Sequence, residues 1–211
     1  MILHGYWRSG ASYRVRIALN LKGVAYEQTP HDLRQSQQKT PDYLALNPQG
    51  MVPALETGEG VLIQSPAILE WLEETCPEPP LLPGDAGDRA VVRAMSAVIG
   101  CDIHPLNNLR VLTSLRRDFG ADQATVDAWA ARWIAPGFDA LEALVARHGA
   151  GFSFGDGPTL ADCYLIPQLY SARRFNIETA VWPTLEAVEG RALAHPAFAE
   201  AHPDRQPDAG A

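Results

Sequence analysis

The sequence is poor in cysteine, in positive charge and in long apolar runs, and each shortage removes a class of function. Cys76, Cys101 and Cys163 form no Cys-x-x-Cys pair and no Cys/His cluster at metal-ligand spacing. No metal is therefore expected. An odd, scattered set suits a reducing compartment, with each cysteine reading as a small buried hydrophobe. Lysine and arginine number 17 against 25 aspartates and glutamates, a formal net charge of −8. A nucleic-acid surface needs a clustered basic face, so no nucleic-acid partner is expected. No apolar run approaches the roughly 18–20 residues that span a bilayer. The opening "MILHGYWRSG" holds too short an apolar stretch for a secretory signal. The expectation is a cytoplasmic protein with no membrane partner.

What remains is ordinary material for a core. Hydrophobic residues make up 46% of the chain, and its length suits one large domain or two small ones. Residues 1–75 alternate in type. Ile2–Tyr6 reads as a strand, about Ser12–Leu21 as a helix with Val15, Ala18 and Leu19 on one face, and Gly23 as its stop. "VAYEQTPHDL" (24–33) reads as a second strand and "TPDYLALNP" (40–48) as a short helical turn. Pro53–Glu56 and Val61–Ile63 read as two strands joined by a glycine-containing hairpin. "SPAILEWLEETC" is a helix with Ser65 as N-cap and Pro66 in the first helical position. The order β-α-β-α-β-β-α describes a small α/β domain.

"CPEPPLLPGDAGDR" (76–89) carries four prolines and two glycines, which marks a linker. Helical patterns follow: Arg89–Cys101, 104–120, 122–149 with an interruption near Pro136, 159–175, and two short helices within 182–201. The last ten residues, "HPDRQPDAGA", read as frayed. Thr159 with Asp162 three positions on, ahead of an apolar run, forms a capping box and is a folding signal. The predicted division is an α/β domain over 1–80 and an all-α domain over 88–205.

Four local features bear on chemistry. "RSGAS" (8–12) leads from strand to helix through small and hydroxyl residues, which suits either a plain capped turn or a cradle for an anion at a helix N-terminus. "MVPAL" offers the Val52 backbone to an extended ligand, beside a Pro53 whose peptide is a candidate for cis. In "IQSPAI", Gln64 and Ser65 open a helix, as a cap or as a carboxylate site. Arg8, "DIHPLNNLR" with His104, Asn107, Asn108 and Arg110, and "SARRF" with Arg173 and Arg174 supply arginines suited to carboxylates. A solvated helix face accounts equally well for Arg173, Arg116 and Arg117.

The order of these features along essentially the whole chain resembles a glutathione transferase. "RSGASYRVRIALNLKGVAYE", "ALNPQGMVPAL", "QSPAILEWLEE" and "DIHPLNNLRVL" resemble the zeta class, whose members include glutathione-dependent maleylacetoacetate and maleylpyruvate isomerases. The resemblance implies a thioredoxin-like N-terminal domain, an all-α C-terminal domain, glutathione as cofactor and a homodimer. It implies that the glutathione sulfur lies at Ser9, Gly10, Ala11 and Ser12, with Ser9 the preferred serine. It pairs Val52, beside cis-Pro53, with the cysteinyl backbone, and gives Gln64 and Ser65 the γ-glutamyl carboxylate. Gln38, Gln49, His104 and Asn108 are further cofactor contacts. Arg8, Arg110 and Arg174 bind the carboxylates of a small dicarboxylate substrate, with Ser9, Arg8 and Arg174 as the catalytic set.

The zeta pattern reads Ser-Ser-Cys-Ser where this chain has Ser9-Gly10-Ala11-Ser12, so any thiol must come from the cofactor. The implied activity is cis–trans isomerisation of maleylacetoacetate, or of the shorter maleylpyruvate, in aromatic catabolism. A general transferase or peroxidase acting on electrophiles, and a non-catalytic module of the same fold, are the alternatives. Three arginines argue against the apolar pocket that the first would need. The intact Val-Pro and Gln-Ser signals argue against the second.

Overall fold

A computed structural model describes residues 1–210. The chain packs as two compact units, one of residues 1–81 together with 193–211 and one of residues 82–192. The linker falls where the prolines place it. The expected division at 88–205 differs at the far end, because the C-terminal segment packs with the first unit.

The first unit is built on a sheet of four short strands: β1 (Ile2–Gly5), β2 (Glu27–Pro30), β3 (Ala54–Thr57) and β4 (Gly60–Ile63), in the order β2-β1-β3-β4. β1 and β2 are parallel, with Ile2 opposite Glu27 and Gly5 opposite Pro30. A parallel pair needs a crossover, and α1 (Gly10–Leu21) supplies it. β3 runs antiparallel to both β1 and β4, and Gly60 at φ 141° closes the β3–β4 hairpin. β2 is shorter than the sequence suggests. Its residues are polar and largely exposed, as an unpaired edge tolerates.

α1 is buried from Ser12 to Leu19, arginines included. α3 (Ser65–Thr75) and α9 (Pro196–Ala201) pack against it. Arg16 donates to the carbonyls of Ala201 at 3.0 Å and Trp7 at 2.9 Å. The C-terminal segment is not frayed over 202–208, while the last residue of the expected frayed stretch lies outside the described residues. The Trp7 N–H donates to Asp208 at 2.9 Å, and Gln206 bonds Gln28 at 3.0 Å. α2 (Pro41–Leu46) is capped by Thr40, whose hydroxyl accepts from the Tyr43 N–H. A buried Lys22–Glu73 pair at 2.6 Å anchors the linker's start, since Glu73 also accepts from the Leu81 N–H.

The second unit is helical: α4 (Ala86–Ala97), a π-helical turn at Val98–Ile103, a tight turn at His104–Leu106, α5 (Leu109–Phe119), α6 (Gln123–His148), α7 (Leu160–Arg174) and α8 (Pro183–Leu193), whose last residue falls in the first unit. α6 is not interrupted. It runs through an exposed Pro136, because Ile134 and Phe138 on either side are fully buried and packing outweighs the lost hydrogen bond. α7 is buried from Leu160 to Leu169. The capping box forms as expected: Asp162, fully buried, accepts from the Thr159 N–H at 2.8 Å, its hydroxyl at 3.0 Å and the Ser153 N–H at 2.8 Å. Among the described residues, no helix is long and apolar enough to cross a membrane.

Candidate active site

Ser9 is the N-cap of α1. Extended backbone (φ −69°, ψ 119°) turns its hydroxyl back to accept from the Ser12 N–H at 3.2 Å. No acidic side chain occupies the first turn, so the partial positive charge of the helix end is not neutralised locally. Ser9, Gly10 and Ala11 are half-buried and reachable. Ser12 is not. Its side chain is fully buried against the sheet, and its oxygen has no hydrogen-bond partner among the described residues. Arg8 is half-buried, its guanidinium 5.4 Å from the Trp7 ring centre.

The second group lies around the start of β3. The Val52–Pro53 peptide is cis, and Val52 is half-buried. The loop before it is held by Asn47, whose side chain donates to the Met51 carbonyl at 2.6 Å and accepts from the Gln49 N–H at 3.0 Å. Tyr43 donates to the same Met51 carbonyl at 2.7 Å. Gln49 and Gln64, both exposed, are joined side chain to side chain.

Gln64, rather than Ser65, takes the N-cap position of α3. It sits at φ 69°, ψ 114° and gives the helix no side-chain cap. A non-glycine residue in that region is strained, and the first N–H groups of α3 are left without a capping side chain. Ser65 is the first helical residue, only 3% exposed, and its hydroxyl receives a long contact from Arg14 at 3.4 Å. Gln38 is also buried, its side-chain oxygen unpartnered among the described residues.

The remaining expected residues belong to the helical unit. His104 opens the tight turn after the π-helical segment. Asn108 is the N-cap of α5 and accepts from the Val111 N–H at 3.2 Å, so part of its side chain is committed to folding. Arg110, exposed on the first turn of α5, borders an open apolar cavity of about 360 Å³ with Val111, Leu115, Phe119 and Trp129. Arg173 and Arg174 part company. Arg173 is bound to Glu186, Glu189 and Thr179, and these carboxylates raise its pKa further. Arg174 stands exposed with its guanidinium 6.0 Å from the Phe175 ring centre. Among the described residues, no group of histidine, cysteine and carboxylate side chains could hold a metal ion.

Three residues around these groups have no site signal in the sequence. Arg14 lies inside a helix face that reads as core. Tyr43 and Asn47 sit in what reads as a plain helical turn. Asn47 before a proline, with a glycine three positions on, is the one hint of a built loop.

Known proteins are similar to this chain over its whole length. Residues 8–75 match the family model "Glutathione S-transferase, N-terminal domain", and residues 123–204 match "Glutathione S-transferase, C-terminal domain". A maleylacetoacetate isomerase of Pseudomonas aeruginosa is 51% identical over 99% of this chain and 98% of its own length. A solved holo structure of a maleylpyruvate isomerase, described as a bacterial glutathione S-transferase in the zeta class, is 54% identical, with a TM-score of 0.98 over the full length of both chains. The maleylacetoacetate isomerase of Methylobacterium extorquens, solved with bound malonate and glutathione, is 42% identical, with a TM-score of 0.95 over the full length of both. The chain belongs to the glutathione S-transferase family, and within it to the zeta class.

Proposed function

We propose that this protein is a glutathione-dependent cis–trans isomerase of maleylacetoacetate or maleylpyruvate. One observation supports this reading of the cofactor site: the uncapped N-terminus of α3, fronted by a strained Gln64 that is bonded to Gln49. Unmet N–H groups beside two side-chain amides fit the α-amino acid end of glutathione, which presents both a carboxylate and an ammonium. Val52 offers backbone donors and acceptors to the cysteinyl part. Gln38, His104 and Asn108 are further contacts in this reading. Ser65 contributes its backbone N–H, since its hydroxyl is turned toward Arg14.

When bound, glutathione supplies a thiol that adds reversibly to the conjugated cis double bond, so that rotation about a single bond precedes its departure. The chain's part is to prepare and orient. The Ser9 hydroxyl, reachable at the α1 N-terminus with Gly10 and Ala11 beside it, donates toward sulfur. With the helix end it lowers a thiol pKa from about 8.5 and raises the thiolate fraction at neutral pH. Arg8, Arg110 and Arg174 pair with the substrate's two carboxylates and with charge developing on its ketone oxygen. The Methylobacterium relative solved with malonate, itself a dicarboxylate, together with glutathione supports a site that takes a small dicarboxylate beside the cofactor.

A cytoplasmic homodimer is part of the same reading, and sedimentation of the purified chain checks the assembly. The decisive assay follows the ultraviolet absorbance of each substrate with enzyme, with and without glutathione. Conversion of either only with glutathione is expected. No glutathione-dependent conversion of either overturns the proposal.

A further inference from the structure

We infer that Tyr43 and Asn47 are positioning residues for glutathione: together they clamp the Met51 carbonyl and thereby aim the Val52 N–H at the cofactor. The inference rests on the reading of Val52 given above.

The Met51 carbonyl accepts from Tyr43 Oη at 2.7 Å and from Asn47 Nδ2 at 2.6 Å. A carbonyl oxygen has two lone pairs, and both are used. The peptide that follows is trans, the only cis peptides among the described residues being Val52–Pro53 and Glu78–Pro79. In a trans peptide the C=O and the next N–H lie in one plane and point opposite ways. Fixing the Met51 oxygen toward α2 therefore fixes the Val52 N–H away from α2. Rotating that plane breaks two hydrogen bonds at once.

The clamp is itself rigid. Tyr43 and Asn47 are each 1% exposed. Asn47 also holds the loop it spans, accepting from the Gln49 N–H at 3.0 Å through its side chain and from the Gly50 N–H at 2.8 Å through its carbonyl. Gly50 is pressed close: at φ 60°, a Cβ there would lie 3.0 Å from both the Gln38 carbonyl and Leu44. The Tyr43 ring stands edge-on to His31 at 4.5 Å, with His4 behind. Burial pushes the phenol pKa up to about 12, so it stays a donor throughout the working range. A residue of a six-residue helix and that helix's C-cap thus set the direction of a donor that lies outside it.

The test replaces Tyr43 by Phe, which keeps the ring and its packing and removes only the donor. Glutathione affinity, from titration and from KM, is expected to fall about 3- to 10-fold, as loss of one neutral hydrogen bond implies. The value of kcat at saturating glutathione should stay within about twofold, since nothing at sulfur or substrate has changed. A merely structural tyrosine would lower Tm without that split. An unchanged affinity in Tyr43→Phe overturns the inference. Gln64→Ala separates the two levels: if it weakens glutathione binding while Tyr43→Phe does not, the clamp falls and the cofactor site stands. If neither does, both fall. The Val52 amide resonance of the wild-type protein gives an independent reading, because it must shift on addition of glutathione, and a stationary resonance overturns the inference.

Discussion

Ser12 packs its hydroxyl against Gly5: a Cβ on that glycine would lie 3.3 Å from Ser12 Oγ and 3.4 Å from its Cβ. The two serines of the β1–α1 turn therefore have different duties. Ser9 keeps its hydroxyl where a ligand can reach it. Ser12 buries its own with no partner among the described residues. Ser9→Ala is expected to lower kcat/KM for isomerisation by about 100-fold, the scale of removing one donor to developing negative charge. Ser12→Ala should leave it within about threefold. It should also hold or raise Tm, since burying an unpartnered hydroxyl is unfavourable by about 1 kcal/mol. Steady-state kinetics and thermal melts of both variants check this, and equal losses of activity would refute the assignment.

Neighbouring arginines at the end of α7 give the second test. Arg173 is locked to Glu186 at 2.6 Å and to Glu189, whose side chain is 9% exposed. Removing it strands that carboxylate. Arg173→Ala is expected to lower stability by about 1–3 kcal/mol with kcat nearly intact. Arg174→Ala should do the reverse, lowering turnover of the dicarboxylate by about 100- to 1,000-fold while glutathione affinity changes little. Turnover unchanged in Arg174→Ala would remove it from the substrate set.

These cases show why the sequence was partly legible. The strand, the hydroxyl turn, Val-Pro and the capping box at Thr159 and Asp162 each have local chemistry that specifies local shape, and they fold as read. Pro136 reads as a helix break, yet α6 passes through it, because what holds that segment is burial of Ile134 and of Phe138, whose ring stands edge-on to the distant Trp182. Ser65 reads as an N-cap because serine usually is one. Gln64 takes that position at φ 69° instead. The terminal "HPDRQPDAGA" is polar enough to look frayed, but Gln206 and Asp208 find partners at Gln28 and Trp7. Polar residues that bond across the fold leave no periodicity behind. The same holds for Tyr43 and Asn47, whose shared acceptor is set by a loop and not by a repeat.

Acid should find His31. It bonds His4 at 2.9 Å, His4 in turn meets Glu56, and the Tyr43 ring covers the pair. Burial, reinforced by His4, lowers the His31 pKa below its ordinary 6.5. The unfolded chain then binds a proton more readily than the folded one, so stability is fully present above about pH 6.5 and is lost as pH falls through the folded value. His31→Gln removes this proton while keeping a donor for His4. The Tm advantage of the wild type over His31→Gln should therefore shrink between pH 7.5 and 5. A difference that stays constant across that range would show that His31 does not titrate differently on folding.

The fully buried Asp162 makes the strongest demand on the fold. Its carboxylate answers three donors: two from Thr159, backbone and hydroxyl, and one from the Ser153 N–H. Burial raises its pKa above the ordinary 3.8 against those bonds, so desolvation is the larger effect and the donors offset only part of it. Asp162→Ala leaves all three donors stranded at the start of a helix with no exposed face over its first ten residues. A loss of about 3 kcal/mol or more is expected. Asp162→Asn keeps an acceptor oxygen and carries no charge to desolvate, so it should lose clearly less. Denaturant melts of the two variants decide the matter. If asparagine destabilises as much as alanine, the carboxylate charge rather than its acceptor geometry is what α7 requires.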